Sequence, residues 1–226
     1  ALMLRALGAR GDTAASAAIE AEASHGDVGV RLAALEALGL AGDVSAIPVL
    51  LAAATPDTDG GERTVARASL KHLAVPTADA LLRRLSVGGV KAIRVEAIRA
   101  LASRGCTAAV ADILAYARDR DDTVRRGSLE ALGVLAAGSV APTVIDLVVN
   151  PADPADRPAA ETAAGSVLAR IADPEERARP VLAALRGARG EGRSAVIRLL
   201  GKAGSPSALV AVQAALDEPD QRDAAV

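Results

Sequence analysis

The 226-residue chain has no tryptophan and no phenylalanine, and a single tyrosine, methionine and cysteine, at Tyr116, Met3 and Cys106. Wide globular cores fill the space between layers with aromatic rings. Without them, an interior of Ala, Leu, Val and Ile suits thin, closely spaced helices, and the 51% apolar share is ample to build one. A lone cysteine excludes an intrachain disulfide framework and favours the cytoplasm. His25 and His72 are the only histidines. The ligand spacing of a zinc site is therefore missing, and neither a metal nor a cofactor is expected. The net charge of −2 lacks the basic excess of a general nucleic-acid binder. The longest uncharged stretch, residues 131–145, is shorter than a span of about 20 residues and contains Gly138 and Pro142, so no transmembrane segment is expected. No secretory leader pattern opens the chain. A phosphate-binding glycine loop, a dinucleotide fingerprint and a serine nucleophile elbow are all missing as well.

What is present is a repeated phrase. Residues 30–39 read Val-Arg-Leu-Ala-Ala-Leu-Glu-Ala-Leu-Gly, and residues 124–133 read Val-Arg-Arg-Gly-Ser-Leu-Glu-Ala-Leu-Gly. Residues 93–102 carry a third copy, and looser ones surround Leu4, Leu70, Leu168 and Ile197. Aligned on a central aliphatic residue, the anchors are Leu4, Leu35, Leu70, Ile98, Leu129, Leu168 and Ile197, at intervals of 31, 35, 28, 31, 39 and 29. Each has an apolar companion three residues on, from Leu7 through Leu38, Leu73, Leu101, Leu132 and Ile171 to Leu200. A Gly or Ala follows each companion. Apolar residues three and four apart form one stripe on a helix. This is the A helix of each unit.

A second stripe comes after a short turn. It comprises Ile47, Leu50, Leu51 and Ala54 in one copy, and Ala141, Val144, Ile145 and Val148 in another. Pro48 and Pro142 fall in its first turn, where a missing N–H costs least. This is the B helix. A helix–turn–helix unit of about 31 residues, recurring about seven times, cannot hide its stripes alone, so neighbours must stack.

The phrase and its spacing resemble HEAT repeats, and in particular the short bacterial form called phycobilisome-lyase-type HEAT-like repeats. The resemblance implies an all-α fold, a right-handed α-α superhelix of about seven helix pairs. It also implies a concave face lined by B helices. One continuous domain is expected over residues 1–226. Residues 55–62 and 150–157 read as polar surface loops that absorb the longer intervals. The first A helix lacks its start, and residues 221–226 look like the opening of another, so the chain is expected to be a segment of a longer protein.

Several residues could carry function. Arg31, Arg94, Arg125 and Arg193 share one position in four A helices. They could present a basic ladder, but the stronger expectation is structural. Each would pair with an acid just before it, as Asp27 and Asp121 stand four residues ahead of Arg31 and Arg125, or with its counterpart in the next repeat. Residues 57–62 resemble a calcium loop but lack its later ligands, and an ordinary acidic turn is expected. Residues 186–193 read as an inter-repeat linker. Every Asp and Glu has a turn, cap or solvent role available, so no paired catalytic carboxylates stand out.

The remaining place for function is the B-helix face. Arg83, Arg84, Asp112, Tyr116, Asp146, Arg179 and Gln213 lie on B helices off the apolar stripe. Their mixed charge suits a protein surface better than a phosphate backbone. Tyr and Arg are favoured anchors at such interfaces. The leading expectation is a non-catalytic scaffold that binds a protein or peptide. The alternatives are a structural or regulatory arm of a larger, membrane-attached protein, and a lyase or DNA glycosylase of the same repeat class. The resemblance reaches no functional residue of those enzymes.

Overall fold

The computed structural model describes residues 1–216, and these contain α-helices, short 3-10 turns and no strand. The A helices are α1 (Leu2–Arg10), α3 (Val28–Ala41), α5 (Gly60–His72), α7 (Lys91–Ser103), α9 (Asp122–Leu135), α11 (Arg157–Leu168) and α13 (Gly190–Ala203). The B helices are α2 (Ser16–Glu22), α4 (Ala46–Ala53), α6 (Ala78–Val87), α8 (Val110–Tyr116), α10 (Ala141–Val149), α12 (Pro174–Leu185) and α14 (Pro206–Leu216). Seven helix pairs are thus present among the described residues. The supposed start of a further A helix at 221–226 lies outside them.

The helices form two compact units, Ala1–Cys106 and a second from Thr107 onward. In the first, α3 packs between α1 and α5, and each B helix rests chiefly on the A helix that follows it. In the second, α11 packs between α9 and α13, and α12 between α10 and α14. All seven anchor residues are buried, from Leu4 to Ile197. The companions Leu7 and Ile171 are only half-buried, and Ile171 lies beyond the end of α11.

That mismatch exposes a slip in the leucine alignment. Six arginines, Arg31, Arg63, Arg94, Arg125, Arg157 and Arg193, each donate from the first turn of an A helix to a carbonyl at or just beyond the end of the preceding B helix. The acceptors are His25 and Gly26, Pro56, Ser86, Asp119 and Arg120, Val148, and Leu185 respectively. Their intervals are 32, 31, 31, 32 and 36 residues, far more even than those of the leucines. In this register Leu70 matches Leu38 rather than Leu35, and Ala164 takes that place in α11 while Leu168 stands one turn later. Alignment on leucine shifts both copies along the helix.

Small residues set the spacing between A helices. A Cβ added at Gly8 would stand 2.8 Å from the Cα of Ala37, and one at Gly39 would stand 2.7 Å from the Ser69 side chain. At Gly133 the nearest atom, the Cα of Ala163, is 3.5 Å away. Ser69 uses this closeness, its hydroxyl donating to the Leu35 carbonyl at 2.8 Å. At Gly8 and Gly39, glycine ends the phrase because a neighbouring helix needs the room.

Candidate functional site

Many charged side chains are spent inside the stack, at the turns and between neighbouring helices. Four of the six B-to-A turns supply an aspartate that caps the helical turn after it. Asp27 accepts from the Val30 N–H, Asp59 from Gly61, Asp121 from Thr123 and Val124, and Asp153 from Ala155. Each stands four residues before one of the six arginines. Such a cap satisfies an N–H that the helix leaves without a partner. The principal task of Asp27 and Asp121 is thus capping, not the i,i+4 pairing expected from their spacing.

The arginines reach forward instead. Arg31 binds Glu62 of the next A helix at 2.6 Å, and Glu62 is buried. Arg125, only 6% exposed, binds Asp156, itself 4% exposed, with Asp153 at 3.6 Å. The Glu62 carboxylate holds the Arg31 guanidinium above its ordinary value, and Asp156 does the same for Arg125. Glu96, also buried, takes a bidentate pair from Arg67 at 2.7 and 2.8 Å and a third bond from Arg99. These acids correct the expectation that every Asp and Glu serves a turn, cap or solvent role. Glu62 and Asp156 also correct the two segments read as surface loops, whose last residues are packed inside. Arg63 and Arg157 escape the leucine alignment altogether, although Asp-x-x-x-Arg at 27, 59, 121 and 153 is visible in the sequence.

Other arginines close the C-terminal ends of A helices. Arg104 donates to the carbonyls of Leu70 and Leu73 at the end of α5 and to Asp79 of α6. Arg170 donates to Gly133 and Val134 of α9. In the second unit Arg198 binds Glu161 through two bonds, which raise its guanidinium above the ordinary value. Among the described residues no buried side-chain nitrogen or oxygen lacks a partner.

The B-helix candidates fall in both units. Arg83 and Arg84 of the first are exposed on α6. In the second, Asp112 and Tyr116 are half-buried on α8, while Asp146 on α10, Arg179 on α12 and Gln213 on α14 are exposed. Asp146 is engaged by Arg118 at 2.6 Å and by the Asn150 amide at 2.8 Å, which ties the end of α8 to α10. Arg179 bonds Glu176, one turn back on its own helix. Each of these four successive B helices in the second unit thus carries at least one polar side chain off its apolar stripe, and α8 also carries the aromatic ring of Tyr116. Its A-helix side carries an open groove of about 460 Å³ between α11 and α13, edged by Glu161, Ser166, Arg177 and Lys202. His25, His72 and Cys106 share no common site. The His25 ring accepts from the Asp27 N–H, His72 is exposed and Cys106 is buried in a turn. Among the described residues no cluster of His, Cys, Asp and Glu could hold a metal ion, and no helix is long and apolar enough to cross a membrane.

The sequence profile of the family described as HEAT repeats matches residues 1–71 and 78–165. No curated protein matches in sequence. Among solved structures, the Escherichia coli protein YibA is 16% identical over 92% of this chain and 88% of its own, with a TM-score of 0.45. An engineered protein is 16% identical over 98% and 72%, with a TM-score of 0.44. The complex of CpcE and CpcF of phycocyanin lyase from Nostoc sp. PCC7120 is 20% identical over 92% and 73%, with a TM-score of 0.36.

Proposed function

Because the chain belongs to the HEAT-repeat family, we propose that it is a non-catalytic scaffold of the cytoplasm, holding a protein or peptide along its B-helix face. One observation carries this reading. The buried charges, Arg125, Glu62, Glu96 and Asp156, tie A helices together, whereas the second unit's B helices keep polar side chains of mixed sign at the surface, exposed on α10, α12 and α14 and half-buried on α8. Such side chains offer an extended polypeptide separate contacts at each step, with Tyr116 as its aromatic anchor. Fold alone assigns no activity, so the reading rests on this placement of side chains.

Affinity capture with the 226-residue chain, followed by Tyr116→Ala and Gln213→Ala, tests it. A bound polypeptide should weaken about tenfold or more with Tyr116→Ala, and should be unaffected by Arg126→Ala on the exposed side of α9. Retention by both B-helix variants would remove this face from consideration.

A further inference from the structure

The first A helix carries a face that its later counterparts bury. Leu2 is 83% exposed and Met3 77%, and Ala6 is exposed as well. Ala34, Ala66, Ala97, Ser128, Ala160 and Val196 stand in the other A helices where Met3 stands in α1, and all six are buried. Ala37, Ser69 and Ala163 stand where Ala6 does, each beside the phrase-end glycine of the A helix before it, Gly8, Gly39 and Gly133 respectively. Arg10 belongs to the same stripe, because residues three and four apart share a helix face. It stands three residues after Leu7, as Arg104 stands three after Leu101. Arg104 donates to the carbonyls of Leu70 and Leu73 at the end of the preceding A helix. Arg10 is exposed and makes no such bond among the described residues. Met3, Ala6 and Arg10 thus form one stripe, left in water where later A helices cover the same places.

Helices α13 and α14 of the second unit hold a surface that suits this stripe. Gly201 ends its phrase as Gly8, Gly39 and Gly133 do, yet nothing lies within 4 Å of an added Cβ. Beside it an open groove of about 580 Å³ is lined by Leu200, Pro206, Ala208, Leu209 and Val212, with no charged side chain among its described residues. Leu209 and Val210 are exposed, and α14 carries no charge. Exposed aliphatic faces of this kind mark contact surfaces. We propose that α1 of one copy of this chain rests on α13 and α14 of a second copy, as α3 rests on α1 and α2. Ala6 then meets Gly201, Leu2 and Met3 cover part of the groove, and Arg10 donates to the carbonyls of Leu200 and Ala203. Both halves of the joint occur in one chain, so a second copy is sufficient to complete it. The halves differ, so the contact is heterologous and each pairing leaves one face of either kind open for a further copy. Pairing two α13–α14 surfaces would instead leave Met3 and Arg10 in water. The joint uses neither Tyr116 nor Gln213 and is independent of the proposed polypeptide site.

Sedimentation equilibrium of the 226-residue chain tests the assignment. The weight-average mass should rise with concentration past that of a dimer. It should do so at high salt as well as low, because no ion pair crosses the joint. Ala6→Glu and Gly201→Gln change exposed positions, so each variant should keep its helicity by circular dichroism while its mass stays that of a monomer. Mixed together, the two should form a one-to-one dimer and nothing larger, since each retains the face that the other has lost. A mass that stays monomeric for the unaltered chain at every concentration would overturn the proposal and leave the α1 face to a different polypeptide. Association that survives Ala6→Glu would also overturn it, by placing two α13–α14 surfaces together. So would a mixture of the two folded variants that remains monomeric, or association that is lost on adding salt.

Discussion

Arg125 shows how much a single side chain does here. Its guanidinium bonds Asp156 and the carbonyls of Asp119 and Arg120, so it fixes the B-to-A turn and the next A helix at once. Removing it strands a carboxylate that is 4% exposed. Arg125→Ala is expected to cost about 3 kcal/mol or more, as for a broken buried pair, because it leaves Asp156 buried beside Asp153 with no cation between them. Arg125→Met with Asp156→Leu should recover most of that loss, since two matched apolar groups leave no stranded charge. Urea denaturation of the two variants checks both statements. The repeated phrase singles out Arg125 but not its partner. Asp156 stands in a turn-rich stretch where it looks like any loop acid, and burial is a property of the fold, not of the residue type.

At the scale of the helix, the same phrase position has opposite consequences in different places. Gly39→Ala would force a Cβ against the backbone and side chain of Ser69 and push α3 from α5. A loss of about 1–3 kcal/mol is expected. Gly201 ends the corresponding phrase in α13, yet nothing lies within 4 Å of an added Cβ. Gly201→Ala should therefore stabilise by about 0.5 kcal/mol through helix propensity alone. Thermal denaturation distinguishes the signs, and equal effects at both sites would contradict the packing assigned to Gly39. The helices themselves were legible in the sequence, because their aliphatic stripes recur at helical spacing from Leu35 to Leu38 and from Ile47 to Ala54. The register of α5 and α11 was not. In α11 Ala164 is buried where the other copies have Leu38, Leu70, Leu101, Leu132 and Leu200, so leucine marks the wrong turn. The polar B-helix positions were legible as positions, but the bond from Arg118 to Asp146 was not, since it joins residues 28 apart.

For the whole molecule, the titrating groups with shifted values set the pH response. The hydroxyl and N–H of Ser45, with Ser16, hold the Asp43 carboxyl below its ordinary value, and Ser207 does the same for Glu175. A carboxyl lowered in the folded state contributes stability above its unfolded value of about 4, and loses it as pH falls through the folded value. The raised arginines stay charged from acid to well above neutrality and add no slope there. The melting midpoint should therefore be flat from about pH 5 to 8 and fall below about pH 4, with a shallower acid limb in Ser207→Ala. A decline beginning well above about pH 5 would contradict this assignment. A larger pattern underlies this array. Asp27, Arg31, Asp59, Glu62 and Arg63 recur as Asp121, Arg125, Asp153, Asp156 and Arg157, every one displaced by 94 residues. This tie between neighbouring helix pairs therefore stands once in each compact unit, as Arg31 to Glu62 in the first and Arg125 to Asp156 in the second.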